Sequence, residues 1–351
     1  MARPAPRFAE AQALLPEVLA ERCVHSRIEQ ASCEACVAAC PMHAWVIDDE
    51  RLGIDESRCD GCGLCAPACP EGAVLDRYVP ARFRIDGAQI AFATCIRAET
   101  NTGDAGLLPC LHILGLRRLL QLHSDGVHRL IMSRGDCDAC PRGSGTRIDH
   151  HLRQANLLLH NRSAAPLRAD DLDPRGWQRA LGAARAQHRA PALSRRDLFR
   201  RTADAVTRAA GELSERGSSA APAFLPPGRL LPPGGQAPIR IHAPRIDAHR
   251  CTGCDACARL CPHGAISVEP DAYRLEADAC SACGVCTDVC TSDAVQIDHL
   301  RAAPQTLLPL RRQRCHACGV SFHTPAAQSR QTDLCPVCAL TGHHRKLFQV
   351  L

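Results

Sequence analysis

Cys251-Thr-Gly-Cys254-Asp-Ala-Cys257-Ala-Arg-Leu-Cys261-Pro262, followed by Cys280-Ser-Ala-Cys283-Gly-Val-Cys286-Thr-Asp-Val-Cys290, is the stretch whose reading decides the fold. In each run three cysteines two residues apart wrap one face of a four-iron cubane. The fourth, set back by three residues, reaches the cubane held by the other run. The ligand sets are then Cys251, Cys254, Cys257 and Cys290 on one centre and Cys261, Cys280, Cys283 and Cys286 on the second. Two such clusters staple one small fold.

The stretch resembles the bacterial dicluster ferredoxins, on eight cysteines and on Pro262 directly after Cys261. Thr291 stands where that pattern has a second proline, which relaxes a turn and removes no ligand. The same frame occurs earlier in the chain. Cys33, Cys36, Cys40, Cys59, Cys62, Cys65 and Cys69 each lie 221 residues before Cys254, Cys257, Cys261, Cys280, Cys283, Cys286 and Cys290. This is a repeat of a whole module. The register fails once: the partner of Cys251 is Gln30, and the nearest cysteine upstream is Cys23. A longer loop bringing Cys23 back gives one set of Cys23, Cys33, Cys36 and Cys69 and another of Cys40, Cys59, Cys62 and Cys65. The alternative leaves Cys23 idle and the first site with three ligands, as in a three-iron cluster.

A chain of 351 residues suggests two to four domains, and 24 cysteines far exceed what packing requires. Disulfides suit small oxidised secreted domains, and no apolar signal segment is seen, so metal ligation and a cytoplasmic setting are expected. No run approaches the ~18–20 apolar residues that cross a bilayer, so membrane attachment would need a partner. A formal charge of +5 and an aromatic content of 3% argue against nucleic acid as a partner.

Leu14, Leu15, Val18 and Leu19 fall at helical spacing and predict a short packing helix over residues 9–22. Trp45 to Glu50 and Leu52 to Asp55 predict a hairpin between the first two cysteine runs, with Met42, Trp45 and Val46 as candidates to shield the first module's iron. Further on, Ile90 to Thr94 reads as a buried strand, Leu107 to Leu122 as an amphipathic helix after Pro109, and Val127 to Met132 as a second strand. Together they make a βαβ unit. Cys95 ends the first strand, Cys110 opens the helix, and Cys137 and Cys140 follow the second strand. All four can meet at the carboxyl ends of the strands, where an α/β sheet places a ligand.

The segment of roughly 55 residues resembles the small iron-sulfur domain of the delta subunit of methyl-viologen-reducing hydrogenase. The likeness lies in a strand ending in cysteine, Pro109-Cys110, Gly126-Val127 and Gly135-Asp136-Cys137. It implies a two-iron cluster and electron transfer between a dehydrogenase and a second redox complex. The Cys140 spacing departs from that pattern, so a [2Fe-2S] or other iron-sulfur cluster competes here with zinc and with a Cys137-x-x-Cys140 thiol pair.

Residues 175–250 hold 14 arginines against 5 acids. Pro174 to Leu213 can form helices, and Ser218 to Pro238 reads as a flexible linker. Ser194-Arg195-Arg196-Asp-Leu198-Phe199 resembles a twin-arginine signal but lies in mid-chain with no apolar region behind it, and reads as a capped helix start. Last, Cys315, Cys318, Cys335 and Cys338 form two C-x2-C knuckles, the ligand set of a zinc ribbon. A rubredoxin-like iron uses the same four thiolates; the missing glycine after Cys338 and the few aromatics favour zinc. His323, His343 and His344 read as surface imidazoles.

The cysteines close without remainder: 16 in the ferredoxin runs, 4 in the α/β segment and 4 in the ribbon account for all 24. The expected fold class is α+β. An N-terminal helix (1–22) precedes a dicluster ferredoxin module (23–82), a small α/β cysteine domain (83–160) and an Arg-rich helical segment with a Pro/Gly linker (161–240). A second dicluster module (241–300) and a zinc ribbon (301–351) follow. The expected function is an electron-transfer protein without its own substrate site. It would carry four [4Fe-4S] clusters between a dehydrogenase (formate dehydrogenase or hydrogenase type) and a redox acceptor. The competing classes are an accessory or maturation factor for a metalloenzyme and a zinc-ribbon regulator that binds nucleic acid through Arg195 to Arg201.

Overall fold

The computed structural model describes residues 15–47, 52–75, 77–100, 105–142, 146–189, 224–233, 239–302, 305–328 and 333–342. The expected helix over 9–22 is not formed by its described part. Residues 15–19 run extended against the end of the first module: the Leu19 amide donates to the Ala73 carbonyl at 2.8 Å and the Leu75 amide to the Glu17 carbonyl at 2.9 Å. The reason is the demand of buried backbone groups for partners, which an extended segment beside Val74 meets and a helix would not. Val18 then packs with Trp45 and Val74.

In the first module, α1 (Ala35–Ala39) and α2 (Cys65–Ala68) each follow a cysteine run, and β1 (Trp45–Ile47) pairs antiparallel with β2 (Leu52–Ile54), Trp45 opposite Ile54. The expected hairpin is there. Trp45 is buried among Cys36, Cys65 and Val74, whereas Val46, the next residue along the pleat, is 43% exposed and does not shield iron. Met42 is also largely exposed, at the rim of the cavity beside Trp45.

The α/β domain is a sheet of β3 (Ala81–Ile85), β4 (Ala88–Cys95), β5 (Leu107–Leu108), β6 (Val127–Ser133) and β7 (Arg168–Asp171). Its order is β3-β4-β6-β7, with β5 beside the end of β4. β4 and β6 are parallel, as the βαβ reading requires. The run of apolar residues in β4 is covered on both faces, and its alternation sorts them. Ala91, Ala93 and Cys95 join Leu130 and Met132 under α3 (Leu116–Ser124) and α4 (Thr146–Asn161), while Ile90, Phe92 and Ile131 pack on Trp177 of α5 (Pro174–Arg189). Two expectations change here. The helix begins at Leu116 after Gly115, because Leu107 and Leu108 extend beside Thr94 and Cys95 and only a 3-10 turn (Leu111–Ile113) intervenes. The domain also reaches beyond residue 160: β7 is its last strand, at the sheet edge beside β6, and α5 covers its second face.

The linker expected over 218–238 is described for residues 224–233, and these are packed. Pro227, Gly228, Leu230 and Leu231 are buried, and both leucines join the core under α3 and α4. The reason is apolar content: a Leu-Leu pair buries more surface than a solvated tether leaves exposed. The stretch Ser194 to Phe199, the arginines from Arg195 to Arg201 and the helix expected beyond residue 189 lie outside the described residues.

The second module repeats the first, with α6 (Ala256–Arg259), α7 (Val285–Asp288), the hairpin β9 (Ile266–Val268) and β10 (Ala272–Leu275), and the pair β8 (Ile239–Ile246) and β11 (Val295–Ala302). It is docked on the α/β domain through an ion pair whose guanidinium is buried and whose carboxylate is part-exposed. Arg162, 6% exposed, donates to the Ile239 carbonyl and to Asp278 at 3.1 Å, and the Ile239 amide donates to Asn161. The C-terminal segment adds β12 (Leu307–Arg314), β13 (Ser321–Pro325) and α8 (Pro336–Thr341). β12 pairs with β10, so one four-stranded sheet, β13-β12-β10-β9, runs from ribbon into module. The edge of the module's hairpin is thereby covered. Among the described residues, no helix is long and apolar enough to cross a membrane.

Trp177 is fully buried, its indole N–H donates to the Ile131 carbonyl at 3.2 Å, and its ring meets Phe92 edge-on. Trp177→Ala should destabilise the α/β domain by about 3–5 kcal/mol, read as a lower denaturant midpoint by circular dichroism. Trp177→Phe should lose clearly less.

Candidate metal centres

In both modules the last cysteine of each run lies with the thiols of the other run. In the first, Cys33, Cys36 and Cys69 are neighbours: burial pushes the Cys36 thiol up to about 12, with the charges of Cys69 and Cys33 adding to it. Cys23 belongs to this group in space. The Cys33 thiol is raised by burial first and then by Cys69 and Cys23. Two 3-10 turns, Ala20–Arg22 and Val24–Ser26, meet at Cys23, and buried Val24 anchors them. His25 Nε2 lies 2.8 Å from the Cys33 carbonyl, closing the loop between them. Gln30, at the repeat position, is exposed.

Cys40, Cys59, Cys62 and Cys65 line a cavity of about 570 Å³ with Trp45 and Tyr78. Burial pushes Cys65 up to about 11, opposed by hydrogen bonds that include one from the Trp45 indole. Burial likewise takes Cys62 up to about 12, and the carboxylate of Asp60 adds to it. In the second module Cys261, Cys280, Cys283 and Cys286 line one cavity of about 320 Å³, and Cys251, Cys254, Cys257 and Cys290 line another of about 290 Å³. Burial takes Cys280 and Cys257 up to about 12. A thiol held that high loses its proton only to a cation, so these cavities suit metal and not free thiolate.

One feature of the ligand shell escaped the sequence reading. In all four runs the amide four residues past the crossing cysteine donates to its sulfur: Ala44 to Cys40 at 3.4 Å, and Ala73 to Cys69, Ala265 to Cys261 and Ala294 to Cys290 at 3.2 Å each. The signal was there, since an alanine stands four residues past each of the four crossing cysteines. Amide donors to sulfur stabilise the anionic ligand and set the potential of an iron-sulfur group. Gly61, Gly253 and Ala282 all take left-handed φ of 66°, 73° and 61° before the second cysteine of their runs. The remaining run, which has Gln30 in place of its first cysteine, has Ser32 at that place.

The donor sets also differ in how closely their atoms are spaced. Among the described residues, only Cys315, Cys318, Cys335 and Cys338 form a group of three or more candidate ligands whose atoms all lie within 4.8 Å of one another. One ion with metal–sulfur bonds of about 2.3 Å needs such closeness. Thiolates on different irons of a cluster stand further apart, and the five other quartets do.

The middle quartet is assembled as the strand topology foretells. Cys95 ends β4, Cys110 follows β5, and Cys137 and Cys140 follow β6, all lining one cavity of about 360 Å³. Contrary to the sequence expectation, Cys110 does not open α3: it follows a two-residue strand and precedes the 3-10 turn Leu111–Ile113. Burial pushes it up to about 11, with Cys95 and Cys140 contributing. The Gly135 amide donates to the Cys95 sulfur at 3.4 Å. Arg142 joins this site to the first module: it donates to Asp60 at 2.6 Å and to the Pro109 carbonyl at 2.7 Å. Burial opposes the ionisation of Asp60, but Arg142 holds it below the usual carboxylate range.

In the ribbon, Cys318 and Cys335 sulfurs are 3.8 Å apart, and the Cys335 amide donates to Cys315 at 3.3 Å. His323 is not the surface imidazole the sequence suggested: it lies 2.7 Å from Asp255 and 3.3 Å from the Tyr273 hydroxyl, between ribbon and second module. His343 and His344 lie outside the described residues.

Residues 31–73 and 250–294 match the 4Fe-4S dicluster domain family. A putative oxidoreductase UacF of Escherichia coli K12 is 46% identical over 39 residues, 11% of this chain and 6% of that protein. An uncharacterized protein of Methanothermobacter thermautotrophicus is 48% identical over 54 residues, 15% of this chain and 11% of that protein. The chain thus spans only a small part of either relative's length. It carries two ferredoxin-type segments, and iron-sulfur electron transfer is their common chemistry.

Cys23→Ser tests the irregular quartet. The variant should lose one corner iron from the site with Cys33, Cys36 and Cys69 and show a three-iron signal by electron paramagnetic resonance after mild oxidation. Identical spectra and iron content in wild type and variant would eliminate Cys23 as a ligand.

Proposed function

We propose that this chain is an iron-sulfur electron-transfer protein without a substrate site of its own. It relays electrons between a dehydrogenase of the formate dehydrogenase or hydrogenase type and a redox acceptor. The observation that carries this reading is the fourfold repetition of one site: a thiol quartet shared between paired runs, with an alanine amide on the crossing sulfur. Each quartet offers four thiolates, which leaves no iron open for substrate.

The quartets assigned to [4Fe-4S] groups are Cys23, Cys33, Cys36 and Cys69; Cys40, Cys59, Cys62 and Cys65; Cys261, Cys280, Cys283 and Cys286; and Cys251, Cys254, Cys257 and Cys290. Such a group supplies one-electron chemistry. The chain's own part is to bind it through sulfur, to keep water away with Trp45, Val285 and Tyr273, and to stabilise its anionic ligands with amide N–H groups. Cys95, Cys110, Cys137 and Cys140 are assigned to a further iron-sulfur group, on their wide spacing and their place at the strand ends. The ribbon quartet is assigned to zinc, on its tight spacing. The choice of partner rests on the likeness of the middle segment to the hydrogenase delta subunit.

Purified anaerobically, the chain should hold about 16 cubane irons if both modules are filled. Half that, with Cys33 to Cys69 alkylatable in the native protein, would sink the repeat reading. One zinc should persist after oxidative destruction of the clusters, since zinc has no redox chemistry. With its dehydrogenase present, the chain should be reduced and reoxidised at turnover rates of about 1–10³ per second. Exchange far slower than turnover would indicate an assembly factor.

A further inference from the structure

Glu71 is a carboxylate in the wrong place for a residue of the first module. It lies two residues past Cys69, is 3% exposed, and every polar partner it has in the described structure comes from the second module. Both of its oxygens stand 3.1 Å from His263 Nε2, and the Ser281 hydroxyl donates to it. His263 lies two residues past Cys261, and Ser281 sits between Cys280 and Cys283.

The surroundings close over this contact. Gly72 lies beneath the Phe224 ring, where a side chain would collide with it. The Phe224 ring is 5.6 Å from that of His263, and the Arg117 guanidinium stacks 4.5 Å from its centroid. Two further contacts hold the modules together nearby. Ser32 donates to Asp288 through its amide at 2.9 Å and its hydroxyl at 2.7 Å. Val24 and Ile28 interlock with Val285 and Val289, and Cys33 and Cys283 pack against that same apolar cluster. Burial takes the Cys283 thiol up to about 11, and the charge of Glu71 is the next largest contribution.

We infer that Glu71 is a positioning residue for the centre held by Cys261, Cys280, Cys283 and Cys286. It fixes the two modules as one redox unit and sets that centre's potential from the opposite module. This rests on the proposed function, which places a [4Fe-4S] group there. The physics is Coulombic: a negative group beside the thiolates in a water-poor site opposes the arrival of one more electron, so it lowers the potential. In the test, that electron comes from dithionite, and no bond forms or breaks.

The experiment is a redox titration of the full anaerobic chain monitored by electron paramagnetic resonance, with iron content measured in parallel. Glu71→Gln keeps the size and one acceptor oxygen and removes the charge. It should move one centre to a more positive potential and leave the others in place, with unchanged iron. Glu71→Asp keeps the charge but withdraws it, and should move the same centre the same way by less; it serves if the glutamine variant fails to fold. Ser32→Ala, which loosens the module contact without touching this charge, should move none. Unchanged potentials in both Glu71 variants at full iron content overturn the inference alone, as does an equal shift in Ser32→Ala. A wild-type chain with no reducible cubane signal overturns the proposed function and this inference with it.

Discussion

The crossing of the fourth cysteine from one run to the other run's quartet is the constraint on which the rest depends. Cys40 must reach Cys59, Cys62 and Cys65 while Cys69 reaches back to Cys33 and Cys36, so neither run can be placed without the other. Each module therefore needs only two short helices and a hairpin, because the quartets take the role that a large apolar core has in other domains. Buried thiols held near 11 or 12 are a poor state for a chain without metal. The same burial that raises them is what keeps water from a bound cluster, so folding and loading are one problem.

Around that constraint the chain is assembled without slack. The α/β domain supplies a platform: its strand ends carry the middle quartet, Arg142 bridges it to the first module, and Arg162 anchors the second. A buried guanidinium such as Arg162 is held by Asp278 and the Ile239 carbonyl, and removing Asp278 would leave its charge without an ion partner in a site closed to water. Residues 224–233 seal the junction instead of tethering it. The ribbon, in turn, extends the second module's own sheet, and His323 and Gln328 reach Asp255 and the Cys251 carbonyl. Six thiol quartets thus lie along one connected body, each touching the next through named polar contacts or shared core.

The grouping of the cysteines was legible in the sequence. Spacing foretold it because each run is local and repeats at a fixed interval, and the structure brings those thiols together, with Cys23 beside Cys33. The βαβ unit was legible from apolar periodicity, and its cysteines fell at the strand ends as topology requires. What misled was propensity applied to segments whose partners are distant. Leu15 to Leu19 has helical spacing but serves the free backbone of 73–75, and Leu107 and Leu108 look helical but complete a sheet edge.

By itself, then, the sequence determined which cysteines fall in paired runs and at what spacing, because those follow from residue type and position. Tertiary structure alone decided how the modules face one another. Glu71, His263 and Ser281 are ordinary residues at separations of about two hundred positions, and no periodicity links them. Only the docking of one module on the other makes a buried carboxylate of the first a neighbour of thiols in the second, because burial and charge act through space and leave no mark along the chain.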